Sequence, residues 1–321
     1  MLNAGPLACY SSGVSRSLKA HLLLVLITLI WGATFVVIKN ALSDISPLFF
    51  NAIRISLAAL LLAAVFHRQL RGISREAIVA GVVIGLFLGS GNGLQTTGLK
   101  YTAASKSAFV TGLAVVLVPV FLAIFWKRKI GWWSALGVGM ASVGLYLLTV
   151  PAASGSGSIL AGINHGDVLT LGAAIVFAFH IIFMGHATQK YRWQQITVVQ
   201  TATSAVLMIL AFPLFEKVRV VWSANVISGI LITGLFSLAA AFSVQAWAQQ
   251  FTPPTHTALI FSLEPVFAWL TSFLVLGERL GMRAAIGGVL ILAGVVVSEE
   301  KGTEESMAVV PDHAGVPQEG G

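Results

Sequence analysis

The sequence predicts an all-α integral membrane protein whose ten transmembrane helices form two inverted five-helix repeats. Three observations carry that expectation: composition, the spacing of apolar runs, and a self-similarity at one fixed offset. Of 321 residues, 57% are hydrophobic and 10% charged, against roughly 25% charged in soluble domains. A soluble fold has no interior able to hide so much apolar side chain. The single cysteine, Cys9, leaves no disulfide framework and no cysteine-rich metal centre, and neither a metal nor a cofactor is expected. The formal charge of +7 is not a nucleic-acid footprint. Its Lys and Arg residues stand in short clusters between apolar runs, as the loop charges that orient helices in a bilayer do.

A hydrocarbon layer of roughly 30 Å needs about 20 mostly apolar residues to cross it. Such runs place helices at 21–39, 47–66, 76–96, 104–126, 131–150, 166–186, 195–215, 224–247, 255–276 and 282–298. Turn formers separate many of them, as in Ser43-Asp44-Ile45-Ser46-Pro47 and Thr252-Pro253-Pro254. Residues 1–20 are polar, lack a signal-peptide pattern, and are expected to be a cytoplasmic segment. Residues 21–150 make the first repeat, 151–166 a Gly-, Ser- and Ala-rich linker, and 167–298 the second repeat. The stretch 299–321, with Glu299, Glu300, Glu304 and Glu305, reads as a disordered acidic tail. With the N terminus inside, eleven Lys or Arg residues fall on inner segments and six on outer ones. That bias predicts a multi-pass plasma-membrane protein with both termini cytoplasmic.

Shifting the chain by 150 residues lays Gln95 on Gln245, Thr102 on Thr252, Ala108 on Ala258, Gly137 on Gly287 and Gly144 on Gly294. The run Ser105-Lys106-Ser107 falls on Thr255-His256-Thr257 at the same shift. An odd number of spans per copy makes the second copy start from the opposite side, so the copies are inverted. Inverted repeats recur in secondary transporters, with the substrate site near the midplane between copies and alternating access from moving one against the other.

Trp31-Gly32-Ala33-Thr34-Phe35 with Lys39, the run Tyr101 to Phe109, and above all Phe261-Ser262-Leu263-Glu264-Pro265 followed by Leu276-Gly277-Glu278-Arg279-Leu280 resemble the drug/metabolite transporter superfamily in its EamA branch. The resemblance spans 21–298. It implies a ten-helix permease or exporter of amino acids, metabolites or other small organic compounds, with the first four helices of each copy around a central cavity and the fifth and tenth peripheral. The first copy departs from the motif: Lys127-Arg128-Lys129 stands where the second has Gly277-Glu278-Arg279.

Intramembrane ionisable groups are the first site candidates, because a charge at the bilayer centre costs about 2.5–3.5 kcal/mol on insertion scales. Arg54 fits a carboxylate bidentately, or snorkels. Glu264 fits an ammonium or a proton, or pins backbone at the Pro265 kink. His180, mid-span, either titrates at a site or is satisfied by a neighbour. Asn92, Gln95, Gln245 and Thr34 either contact substrate or bond helix to helix. Lys39 and Lys106, at span ends, either snorkel to the headgroups or take a site role, and Trp31 and Trp247 either line the cavity or anchor at an interface, as most tryptophans do. The glycines of the fifth and tenth spans read as packing positions.

The expected partners are a small-molecule substrate and the lipid bilayer, with a homodimer left open and no nucleic acid. An intramembrane enzyme or a channel is the competing class. Enzyme chemistry needs a convergent constellation, and the sequence has no His-Glu-x-x-His or Gly-x-Ser-x-Gly pattern.

Overall fold

The computed structural model describes residues 16–102, 104–149, 164–276 and 281–308. Ten helical segments fold as the hydropathy pattern requires. They are α1 (Arg16–Ala41), α2 (Pro47–Val65), α3 (Arg75–Tyr101), α4 with α5 (Ala104–Gly112, Ala114–Trp126), α6 (Trp132–Thr149), α7 (His165–Thr188), α8 (Trp193–Phe215), α9 running through a π-helical stretch into α10 (Ala224–Ile232, Thr233–Ala240, Ala241–Ala248), α11 with α12 (Pro254–Phe261, Glu264–Leu276), and α13 (Met282–Ala308). Three boundaries move outward by five residues or more. The first helix begins at Arg16 rather than 21, the third ends at Tyr101 rather than 96, and the last runs to Ala308, past 298. Residues 1–15, the linker stretch 151–163, residues 277–280 with Gly277-Glu278-Arg279, and the end of the tail from 309 lie outside the described residues.

Local chemistry starts and stops several helices. Ser74 caps α3 by accepting from Ala77 N at 3.2 Å. Asn164 and Asp167 form a capping box on α7: each side chain accepts from the other's backbone N–H, at 3.0 and 2.8 Å. Glu216, just beyond α8, accepts from Phe49 N in the first turn of α2 at 2.6 Å and satisfies a donor that has no partner within the helix.

Three spans are not single helices. The fourth breaks at Leu113 and the ninth at Ser262–Leu263, so Leu113 and Leu263 are one repeat offset apart. At the ninth, Pro265 has no N–H to give Phe261 O and its ring crowds that carbonyl. No proline adjoins Leu113. There the break is matched by packing, with Gly112 lying against Leu145 and Pro265.

The inverted symmetry is visible in individual contacts. Lys39 Nζ donates to the carbonyls of Leu99 (2.6 Å), Lys100 (3.3 Å) and Thr102 (2.8 Å), closing the C-terminal end of α3. Its repeat mate Gln189 donates to Gln249 O (3.2 Å) and Gln250 O (3.0 Å), the mates of Leu99 and Lys100, and closes the end of α10. Inversion places these two contacts at opposite ends of the bundle. Lys39 is therefore committed to helix carbonyls rather than to the headgroup layer.

The outermost pair, α6 and α13, is joined by glycine. A Cβ on Gly137 would lie 2.6 Å from Gly294 O, one on Gly294 2.6 Å from Gly137 O, and one on Gly144 2.5 Å from Gly287 O. Because Gly287 and Gly294 are the mates of Gly137 and Gly144, each glycine meets the partner of the other, as a two-fold axis demands. In a bilayer, where burial of apolar surface does not drive helices together, such close backbone approach supplies the packing. Gly294→Leu is expected to lower the thermal unfolding midpoint in detergent, at a cost of about 2 kcal/mol or more. Gly139→Ala on α6, where nothing lies within 4 Å, is expected to leave it unchanged.

Candidate functional site

A cavity lies between the repeats and offers about 90 Å³ to the centres of water molecules, room for several waters or one small solute. It is lined from α1, α2, α3, the α4–α5 break, α7, the π-helical stretch and α10, and the α11–α12 break. Neither α6, α8 nor α13 contributes.

Arg54 is the most constrained group in this wall. It is 2% exposed. Nε donates to Asn51 Oδ1 at 2.8 Å, and Nη2 donates to Asn92 Oδ1 at 2.9 Å and Thr96 Oγ1 at 3.4 Å. The orientation of both asparagines is set by carbonyls that can only accept: Asn51 Nδ2 donates to Asn92 O and Asn92 Nδ2 to Leu88 O, both at 3.0 Å. Each amide oxygen is thus turned to the guanidinium. Thr96 Oγ1 closes the network by donating to Asn51 Oδ1 at 3.2 Å, and the guanidinium carbon sits 5.3 Å from the Phe50 ring. Among the described residues, no carboxylate pairs with Arg54. It does not snorkel; it is a buried cation held by neutral acceptors beside a cavity.

Glu264 occupies the start of α12, directly after the break, and lines the same cavity at 8% exposure. Its backbone is gripped by α1: a Cβ on Gly32 would lie 2.7 Å from both Glu264 O and Ala268 N. Only glycine at that point of the Trp31-Gly32 pair lets the two helices meet. Among the described residues, no hydrogen bond or ion pair reaches the Glu264 carboxylate.

The second repeat contributes a directed glutamine chain. Gln249 Nε2 donates to Ile181 O at 2.9 Å, and Gln249 Oε1 accepts from Gln245 Nε2 at 3.0 Å. A carbonyl at the end of the chain fixes its sense. Gln245 Oε1 is left buried without a donor. Its mate Gln95 is differently engaged, donating to Thr111 Oγ1 at 3.1 Å. His180 is bound to Gln200 Oε1 at 2.9 Å, and Thr34 donates to Trp31 O at 2.9 Å.

All seven site candidates, Arg54, Glu264, Gln95, Gln245, Asn92, Thr34 and His180, therefore line one cavity. Of the two readings of Trp31, the structure gives the cavity-lining one over the interfacial one. Trp31 too lines the cavity, donates from Nε1 to Ser237 O at 2.8 Å, and packs on Phe242 and Phe261. Trp247 does not line it; its ring stacks near Phe251 and under Lys19 Nζ, 5.6 Å away. Sequence reasoning did not single out Asn51 and Thr96. Helical spacing carried the signal, because Asn51 is three residues from Arg54 and Thr96 four from Asn92, the separations that share a helix face. Ser237 had no such signal, since a π-helical carbonyl is a backbone feature.

Removing an acceptor from a buried cation is costly, whereas removing the cation as well is not. Asn92→Ala is expected to lower stability in detergent by about 2–3 kcal/mol, and Arg54→Met with Asn92→Ala to recover much of the loss. A double-mutant cycle on unfolding midpoints checks this; additive losses would contradict the network.

Comparison with known proteins agrees with the architecture. An uncharacterized transporter of Archaeoglobus fulgidus (strain ATCC 49558 / DSM 4304 / JCM 9628 / NBRC 100126 / VC-16) is 35% identical over 89% of this chain and 87% of its own length. The uncharacterized inner membrane transporter YedA of Escherichia coli (strain K12) is 27% identical over 84% and 87%. The uncharacterized transporter YoaV of Bacillus subtilis (strain 168) is 23% identical over 87% and 96%. A solved crystal structure superposes with a TM-score of 0.72 at 17% identity, covering 91% of this chain and 99% of that one. The profile of the EamA-like transporter family matches residues 18–150 and again 164–298, one match per repeat. This chain belongs to the EamA-like transporter family and is a multi-pass membrane transporter.

Proposed function

We propose that the protein carries small organic solutes bearing both a carboxylate and an N–H cation, such as amino acids and related metabolites, by alternating access at the cavity between its repeats. The observation that carries this reading is Arg54: a buried guanidinium beside a cavity, oriented by Asn51, Asn92 and Thr96 and without a carboxylate of its own. A solute carboxylate supplies the missing counter-charge, in the geometry a guanidinium recognises best. The second repeat offers the complementary chemistry. The Glu264 carboxylate and the donor-less Gln245 Oε1 both accept, which suits an ammonium or another N–H group. The excess of Lys and Arg on one set of loops supports a plasma-membrane placement with both termini cytoplasmic.

Flux of a labelled amino-acid and organic-acid panel into reconstituted liposomes tests the reading. Arg54→Gln is expected to cut flux of carboxylate-bearing solutes at least about tenfold with normal insertion, and Arg54→Lys to restore little, because an ammonium cannot reproduce the fork held by the two asparagines. Glu264→Gln is expected to lower flux of ammonium-bearing solutes more than that of simple carboxylates. Wild-type protein that moves no member of the panel above empty vesicles overturns the proposal.

A further inference from the structure

Helices α3 and α7 run antiparallel and diverge along their length. At one end their backbones touch: a Cβ on Gly98 would lie 2.7 Å from Gly166 O, and one on Gly166 2.5 Å from Gly98 O. Further along, rings take up the spacing, with Phe177 against Gly91 and Phe87 against Phe179 and Phe183, at 5.7 and 5.3 Å between ring centroids. Beyond the rings the two helices enclose a surface groove. It offers about 510 Å³ to the centres of water molecules, against about 90 Å³ in the cavity between the repeats. Its walls are apolar: Val79, Ala80 and Val83 from α3, and Phe183 from α7. Its mouth is polar, with Arg75 and Glu76 in the first turn of α3 and Tyr191 just past α7. From Arg75 to Val83 the helix rises about 12 Å, most of one leaflet of a roughly 30 Å hydrocarbon layer. Among the described residues, no hydrogen bond or ion pair engages the Arg75 guanidinium, the Glu76 carboxylate or the Tyr191 hydroxyl.

The fold does not impose this groove. At the 150-residue offset, Arg75, Val79 and Val83 fall on Asn225, Gly229 and Thr233, while Phe183 and Tyr191 fall on Ala33 and Ala41. There the helices close on each other: a Cβ on Gly229 would lie 3.1 Å from the Cβ of Ala41, and Ala41 and Thr233 are 0% exposed, whereas Val79 is 56% exposed. Every outer surface of the bundle meets acyl chains, but a recess with an ionic rim, present in one repeat and packed shut in the other, selects among lipids. We propose that the groove binds one phospholipid whose head group carries an ammonium. Arg75 and Tyr191 donate to its phosphate, Glu76 accepts from its ammonium, and an acyl chain lies along Val79, Val83 and Phe183. The other cations of this membrane boundary, Arg68, Arg71, Lys190 and Arg192, do not line the groove. The head group therefore faces one cation and one anion, which matches a zwitterion. The same two helices carry Asn92, Gln95 and His180 in the cavity wall, so the lipid occupies the splay of a helix pair that lines the central cavity. The proposal concerns the membrane and stands independently of any solute.

Photo-cross-linking tests it. The full chain in detergent is irradiated with phosphatidylethanolamine bearing a diazirine on its acyl chain, and the adducts are mapped by peptide mass spectrometry. Cross-links are expected on Val79 to Val83 and around Phe183. Unlabelled phosphatidylethanolamine is expected to compete about tenfold better than phosphatidylglycerol, which lacks the ammonium, or phosphatidylcholine, whose quaternary nitrogen has no N–H to donate; tenfold corresponds to one charge-assisted hydrogen bond. Arg75→Gln is expected to cut cross-linking by a similar factor, and Glu76→Gln to erase the preference over phosphatidylglycerol. Val79→Trp fills the recess from an exposed position and is expected to remove the adducts, while Val206→Trp, at a similarly exposed site on α8, is expected to leave them. Phosphatidylglycerol competing as well as phosphatidylethanolamine overturns the proposal, as do adducts that persist in both Arg75→Gln and Val79→Trp. The readout needs no solute, so absent flux in the liposome panel defeats the transport reading without touching this result.

Discussion

A buried guanidinium that meets no carboxylate among the described residues is the constraint around which the site is built. Burying a cation is tolerable only when its donors are met and some polar space remains nearby. Arg54 obtains three neutral acceptors for Nε and Nη2 and polar space from the cavity. The acceptors are in turn oriented by backbone carbonyls of α3, which join α2 to α3 through Asn51 and Asn92. Neutral acceptors satisfy the hydrogen bonds but not the charge.

Much of the architecture was legible because it is repetitive and apolar. Span length follows from bilayer thickness, and the offset of 150 residues recurs in contacts as different as Lys39 with Leu99 and Gln189 with Gln249. Glycine packing on α6 and α13 was legible for the same reason, since small residues at matched positions have few other uses in a bilayer. Polar residues in apolar runs also pointed inward, and the seven candidates do share one cavity. Which of them touches a solute is a separate matter, carried by the proposal.

What could not be read depended on direction and on backbone. Trp31 has the composition of an interfacial anchor, and its depth along α1 was the better guide. Lys39 sits where a lysine snorkels, yet three helix-end carbonyls lie within its reach, and its ammonium caps them. The break at Leu113 has no proline to announce it; only its mate beside Pro265 does. The free oxygen of Gln245 is invisible in sequence, because it depends on the sense of a chain ending at Ile181 O.

The divergence between the repeats carries more functional meaning than their likeness. Exact symmetry would make the two mouths equal in energy and the cavity's ends alike, leaving nothing to distinguish entry from exit. Charge, by contrast, is distributed unevenly: Arg54 has Ser204 as its mate, Glu264 has Ala114, and Asp167 has Ser17. In the cavity Arg54 comes from the first repeat and Glu264 from the second, so the wall differs chemically on its two sides. A ligand or contact can shift a two-state equilibrium only through a difference in its interactions with the two states, and these unmatched charges are where such a difference arises.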